Sequence, residues 1–138
     1  MGEVLSDLLI LTNNPDVRDK YIDADPVFKD VSLLEIFAAA RDLIHKGHRL
    51  LSHPLSGSVK PGETCYKSIL LSRKPEAGTD PFSIELIEDA MNEARFHIEG
   101  MDRLGKTPRW EIAKDSKLGS DLRLIDLTLI DSVLMYMQ

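Results

Sequence analysis

Leu8-Leu9-Ile10-Leu11-Thr12 runs without a charge until Asn13-Asn14-Pro15 stops it. A strand with one wet face alternates apolar and polar residues, whereas a strand covered on both faces reads as a continuous apolar run. The segment therefore predicts a β-strand buried on both sides, followed by a turn at the two asparagines and Pro15. A chain of 138 residues is long enough to build one core around such a strand and too short for two comfortable ones.

The remaining elements are read from caps and periodicity. Pro15 suits the first position of a short helix over residues 16–21, which Asp23-Ala24-Asp25-Pro26 breaks. Val27 to Val31 alternates weakly, as a second strand. The helix over 33–46 carries the fullest signature: Ser32 and Glu35 are spaced as a capping box, and Val31 and Ile36 as a hydrophobic staple. Leu33, Ile36, Phe37, Ala40 and Ile44 form its apolar stripe, and Gly47 offers a left-handed stop. Residues 48–53 and Ser68-Ile69-Leu70-Leu71-Ser72 read as third and fourth strands. No helical pattern joins these two, which leaves antiparallel pairing open. Asp80 and Pro81 open a helix that buries Phe82, Ile84, Ile87, Met91, Ala94 and Ile98 and ends at Gly100. Residues 101–119 are polar and show no period. Ser120 or Asp121 starts a last helix with Leu122, Ile125, Leu129 and Val133 on one face, so that Asp126 and Asp131 are expected to face solvent or a partner. The sum is a single α/β domain over residues 1–138. Its expected sheet is small and mostly parallel, of about four strands flanked by helices, Rossmann-like or flavodoxin-like in outline.

Charge and cysteine usage narrow the classes of function. A formal net charge of −6 argues against a nucleic-acid binder. The single cysteine, Cys65, excludes an internal disulfide, a Cys-x-x-Cys redox pair and an all-cysteine metal site. It fits a reducing compartment. No apolar run approaches the roughly 18 residues of a membrane span, and no secretory signal is read. A cytoplasmic protein without membrane, metal or cofactor is expected, with self-association left open.

In open parallel sheets ligands gather beyond the carboxyl ends of the strands. Two segments are expected there: Asn13-Asn14-Pro15, and His53-Pro54-Leu55-Ser56-Gly57-Ser58-Val59-Lys60. The second gathers hydroxyls, a glycine backbone and a lysine, with Lys67 close behind, and these are the groups that bind anions. Between Leu43 and Lys74 six basic side chains face one acid, Glu63, so this stretch carries +5 and the remainder −11. A positive island in an acidic chain is a reasonable anion site. The expected ligand contacts are Asn13, Asn14, His53, Ser56, Gly57, Ser58, Lys60 and Lys67. The alternative is a polar surface loop whose serines and glycines satisfy turns.

Neither nucleotide motif is complete. Gly57 and Gly62 have the spacing of a phosphate-binding loop, but Glu63-Thr64 stands where Lys-Ser or Lys-Thr is needed. Asn13-Asn14-Pro15 lacks the glycines of a dinucleotide fingerprint. His45, His48 and His53 have no fixed metal-ligand spacing, and no Gly-x-Ser-x-Gly elbow presents a nucleophile.

The block from Arg41 through His45-Lys46-Gly47-His48-Arg49-Leu50-Leu51-Ser52-His53-Pro54-Leu55-Ser56-Gly57-Ser58-Val59-Lys60 to Pro61 resembles the signature of GrdX-like proteins. Thr12-Asn13-Asn14-Pro15, Tyr66-Lys67-Ser68-Ile69 and Leu124-Ile125-Asp126-Leu127 resemble the same family. The likeness spans most of the chain and is dense between residues 41 and 72; Cys65 stands where a proline is expected before Tyr66. The resemblance implies association with the glycine, sarcosine and betaine reductase systems of amino-acid-fermenting bacteria, and so a pathway rather than a reaction. Two readings follow. One is an accessory protein that binds a small anionic metabolite or a reductase subunit. The other is a small enzyme acting on an acyl or phosphoryl anion, with His53 as base and Lys60 as charge stabiliser.

Overall fold

The computed structural model describes residues 6–55, 64–105 and 115–137. The elements among them are β1 (Leu8–Thr12), α1 (Pro15–Lys20), a 3-10 turn (Ile22–Ala24), β2 (Val27–Phe28), α2 (Leu33–His45), β3 (Ser68–Ser72), α3 (Pro81–Arg103) and α4 (Lys117–Tyr136). β1 is the middle strand of a three-stranded sheet of order β2-β1-β3. It pairs parallel with β2 and antiparallel with β3, Ile10 opposite Leu70.

The alternation along β1 sorts its side chains between two cores. Leu9 and Leu11, with Ile69 and Leu71 of β3, pack against Leu33, Ile36, Phe37, Ala40 and Ile44 of α2 and Ile87, Met91 and Ala94 of α3. Leu8, Ile10 and Leu70 pack on the other side against Val17 of α1 and Ile130 and Leu134 of α4. Every residue of β1 is buried, as the unbroken apolar run requires.

The expected sheet is overturned: it has three strands rather than about four, and only one of its two pairings is parallel. The stretch read as a third strand shrinks to one antiparallel bridge, Leu50 to Leu71. Hydroxyls occupy the ladder positions around it. Ser72 Oγ accepts the Arg49 amide at 2.8 Å, Ser83 Oγ the Leu50 amide at 3.0 Å, and Ser52 Oγ the Leu70 amide at 3.0 Å. Side-chain oxygens of this kind compete with backbone partners. β2 also stops early, because the Val31 amide turns back to the Lys29 carbonyl at 3.0 Å.

The helices follow their caps more closely. The Ser32 and Glu35 capping box opens α2, with Ser32 Oγ accepting the Glu35 amide at 3.2 Å. Asp80 caps α3 with Pro81 at its first position. Gly100 does not end that helix, which continues to Arg103, and Gly105 at φ 68° supplies the left-handed residue instead. α4 begins earlier than expected, at Lys117, where Ser116 Oγ accepts the Gly119 amide at 3.0 Å. Its buried face is Leu122, Asp126, Ile130 and Leu134, rotated from the expected one. No helix among the described residues is long and apolar enough to cross a membrane.

Candidate functional site

The carboxyl end of β1 ends in a buried polar hub. The Thr12 and Ser68 hydroxyls lie 2.8 Å apart across the β1–β3 pair, and Thr12 Oγ1 also accepts the Asn14 amide at 2.9 Å. Ser68 Oγ lies 2.8 Å from Asp126 Oδ2, to which it donates, and the Ser68 amide donates to Asp126 Oδ1 at 3.0 Å. Asn14 Nδ2 donates to Asp126 Oδ2 at 3.0 Å and to the Arg123 carbonyl at 2.9 Å. Asn14 Oδ1 accepts the Asp16 amide at 3.0 Å and so caps α1. One carboxylate from α4 therefore ties together β3, the β1 turn and α1, at 5% exposure.

Asn13 does comparable work one residue earlier. Its Nδ2 donates to the Val31 carbonyl at 3.0 Å and the Cys65 carbonyl at 2.8 Å, while its Oδ1 accepts the Lys67 amide at 2.8 Å. The backbone of residues 64–68 is thereby pinned beside the end of β1. This pinning also presents Lys67 and Asp126 to a cleft.

That cleft is small, about 30 Å³, and reaches about 400 Å³ only when the open solvent at its mouth is counted. Leu33 and Phe37 of α2, Pro54 and Leu55, Thr64, Tyr66 and Lys67, and Leu122, Ile125, Asp126 and Leu129 of α4 contribute to its walls. Among the described residues its charged groups are Lys67 and Asp126, and the other walls are mostly apolar. Burial pulls the Lys67 ammonium below the usual lysine range, offset in part by the nearby Asp126. Burial likewise pushes Asp126 above the usual carboxylate range, against the opposing pull of Asn14, Ser68 and Lys67. Both shifts favour the neutral forms, since desolvation penalises charge. Tyr66 backs the site: Arg123 Nη1 donates to its hydroxyl at 3.2 Å, and Arg123 Nε lies 3.4 Å from Asp16 Oδ2.

The residues singled out from sequence are distributed unevenly around this cleft. Lys67 lines it. Asn13 and Asn14 lie beneath it with their amides engaged by the protein's own backbone and Asp126. His53 is exposed, its Nδ1 accepting the Leu55 amide at 3.1 Å, and it does not line the cleft. Ser56, Gly57, Ser58 and Lys60 lie outside the described residues. Of the remaining histidines, His45 is exposed and His48 Nδ1 lies 2.7 Å from the Ser72 carbonyl. Among the described residues no group of three or more His, Cys, Asp or Glu is placed to hold a metal ion.

Asp126 departs from expectation: it is buried rather than facing solvent. Asp131 is partly exposed and pairs with Lys20 at 2.6 Å and with the Tyr21 hydroxyl. Burial, with help from Asp131, holds Tyr21 above the usual tyrosine range. The sequence does contain a signal for Asp126. Leu122, Asp126, Ile130 and Leu134 repeat at four-residue spacing as regularly as the apolar stripe chosen instead, and an acid inside such a stripe marks a buried polar contact.

No curated protein and no solved structure matches this chain. A family model described as GrdX-like protein matches residues 9–135, which takes in the polar hub, the described walls of the cleft and all of both cores named above except Leu8. The chain belongs to the GrdX-like family.

Proposed function

We propose that this GrdX-like protein is an accessory binding protein of the glycine, sarcosine and betaine reductase systems, holding a small anionic metabolite in the cleft at the carboxyl end of β1. The observation that supports this reading is Lys67, a partly buried cation on the wall of a mostly apolar cleft. Pockets of this kind take ligands with a small polar head and an apolar body. In this reading Asn13 and Asn14 set the floor; Ser56, Gly57, Ser58 and Lys60, also expected from sequence to contact the ligand, lie outside the described residues. His53 precedes them in the chain. A bound metabolite would be handed to, or sensed with, a reductase subunit.

A melting scan against small carboxylates and phosphates tests the binding half. A ligand present at 100 times its Kd adds about 2.7 kcal/mol, enough to move the midpoint by several degrees. Binding is expected to weaken as salt rises. It is also expected to weaken as pH rises through the depressed Lys67 pKa, because the anion prefers the ammonium. Gentle co-purification with reductase subunits tests the partner half. A flat scan together with no recovered subunit would sink the proposal.

A further inference from the structure

Every exposed side chain of α4 from Leu122 to Met137 is uncharged: Leu124, Ile125, Thr128, Ser132, Met135 and Tyr136. Their three- and four-residue spacing puts them on one face of the helix. Leu124, Met135 and Tyr136 are 58%, 72% and 94% exposed. The charged residues of that stretch are engaged elsewhere: Arg123 with Tyr66 and Asp16, Asp126 in the buried hub, and Asp131 with Lys20 and Tyr21. An ordinary solvent face carries charge. That of α3 does, with Glu85, Asp89, Glu93 and Glu99 exposed. The two hydroxyls of the α4 face are also provided for within the helix. Thr128 Oγ1 donates to the Leu124 carbonyl at 2.8 Å, and Ser132 Oγ to the Thr128 carbonyl at 3.0 Å. Both can therefore be covered without stranding a donor.

We infer that this face of α4 is covered by a second copy of the chain, the two helices packing antiparallel about a two-fold axis. Charge selects that occupant. The chain carries −6, so two copies repel one another wherever their acidic surfaces meet. A charge-free face is where that repulsion is least, and it offers no ion pair by which a charged partner would be chosen. Shape agrees. In an interface between identical copies, residue i meets j and j meets i. Crossing the helices at Thr128 and Ser132 sets small residues against each other, which lets the axes approach closely. The same register brings Leu124 to Tyr136 and Ile125 to Met135 of the second copy, large against large on both sides of the crossing. Ile125 also lines the cleft, so the second copy stands at the cleft's mouth. From Leu124 to Tyr136 the helix rises about 18 Å and is about 10 Å wide. Such a strip buries less than the roughly 800 Å² per partner of a standard interface, so the dimer is a reversible one. The inference does not depend on what the cleft binds.

Sedimentation equilibrium of the full chain, from low micromolar to near millimolar loading, tests this. The mass is expected to rise with concentration from the 15.5 kDa of one chain towards twice that value. Added salt should leave the dimer as strong or strengthen it, since screening relieves the repulsion and no ion pair is lost. Thr128→Lys and Ser132→Glu are each expected to weaken the dimer about tenfold or more. An equimolar mixture of the two is expected to restore it, because the introduced charges then face each other across the crossing. Both positions are exposed, so the melting midpoints of the dilute variants should match the wild type. A chain that stays monomeric at every loading overturns the inference on the wild type alone, as does a dimer that salt dissolves. A dimer that both variants leave intact removes it from this face. A monomer that floats with phosphatidylcholine vesicles, and no longer does so in either variant, gives the face to a lipid surface and overturns the second copy.

Discussion

The two ends of the sheet are closed by opposite means. At the carboxyl end of β1 a carboxylate from α4 is buried among side-chain donors of Asn14 and Ser68 and the Ser68 backbone amide. At the amino end, Arg73, just past β3, reaches back to backbone carbonyls among the described residues. Its Nε donates to the Leu8 carbonyl at 3.0 Å, and its Nη2 to the Ala24 carbonyl at 2.8 Å and the Asp25 carbonyl at 3.3 Å. A guanidinium spanning neutral carbonyls keeps its charge at any ordinary pH. A buried carboxylate carries a desolvation cost that only well-placed donors offset, and it titrates. The costlier arrangement lies where the cleft opens, and perturbed titratable groups gather at functional sites. The cheaper one lies where the chain only has to be fastened.

Asp126→Ala is expected to have the largest effect. It strands the Ser68 amide, the Ser68 hydroxyl and the Asn14 amide; each buried donor left unsatisfied costs about 1–3 kcal/mol. Urea unfolding measures it. A loss below about 1 kcal/mol, the usual net worth of one hydrogen bond, would erase the difference between the two ends.

Gly47→Ala comes next, at about 3 kcal/mol, and it acts near the opposite end. Gly47 sits at φ +111°, and a Cβ there would lie 2.1 Å from the Glu76 carbonyl oxygen. The neighbouring backbone cannot yield cheaply, because the Glu76 amide donates to the Gly47 carbonyl at 3.0 Å. If thermal unfolding of the variant matches the wild type, the turn after α2 is looser than this contact requires.

Arg73→Met is expected to cost about 1–2 kcal/mol, since the carbonyls it leaves can be partly rehydrated. The cost should not change between pH 5 and 8, because arginine does not titrate there. A pH-dependent cost would mean that the amino end also hides a titrating partner.

The finest distinction is the pH dependence of Asp126→Asn. The folded-state pKa of Asp126 lies above its ordinary 3.8, so the folded protein holds that proton more tightly than the unfolded chain. Its titration-linked stability is therefore fully present below pH 3.8 and lost as pH rises through the folded-state value. The advantage of the wild type over Asp126→Asn should shrink as pH climbs from the ordinary carboxylate range. An advantage that grows with pH would show that the donors outweigh burial, and would reverse the sign assigned here.

Local features were the legible part of this fold. The run from Leu8 to Thr12, the Ser32 and Glu35 capping box, and Asp80 before Pro81 each act within a few residues, and each element appears where its signal lies. Lys67 was also legible as a candidate, through the basic stretch around it. The role of Asn14 was not, because its partner Asp126 is 112 residues away. Nor was the loss of the third strand, which depends on Ser72 and Ser83 meeting the amides of Arg49 and Leu50 across the fold.

What the sequence determined by itself was burial on both faces of β1, the start of most helices, and one positive stretch in an acidic chain. Those properties come from side-chain chemistry and short-range sterics, which hold before any tertiary contact forms. Only the tertiary structure decided the antiparallel entry of β3, the buried face of α4, and the meeting of Lys67 and Asp126 in one cleft. A helix with two plausible stripes has no internal reason to choose between them. The choice falls to the donors that Ser68 and Asn14 present at the end of the sheet, because a buried carboxylate is stable only where such donors already wait.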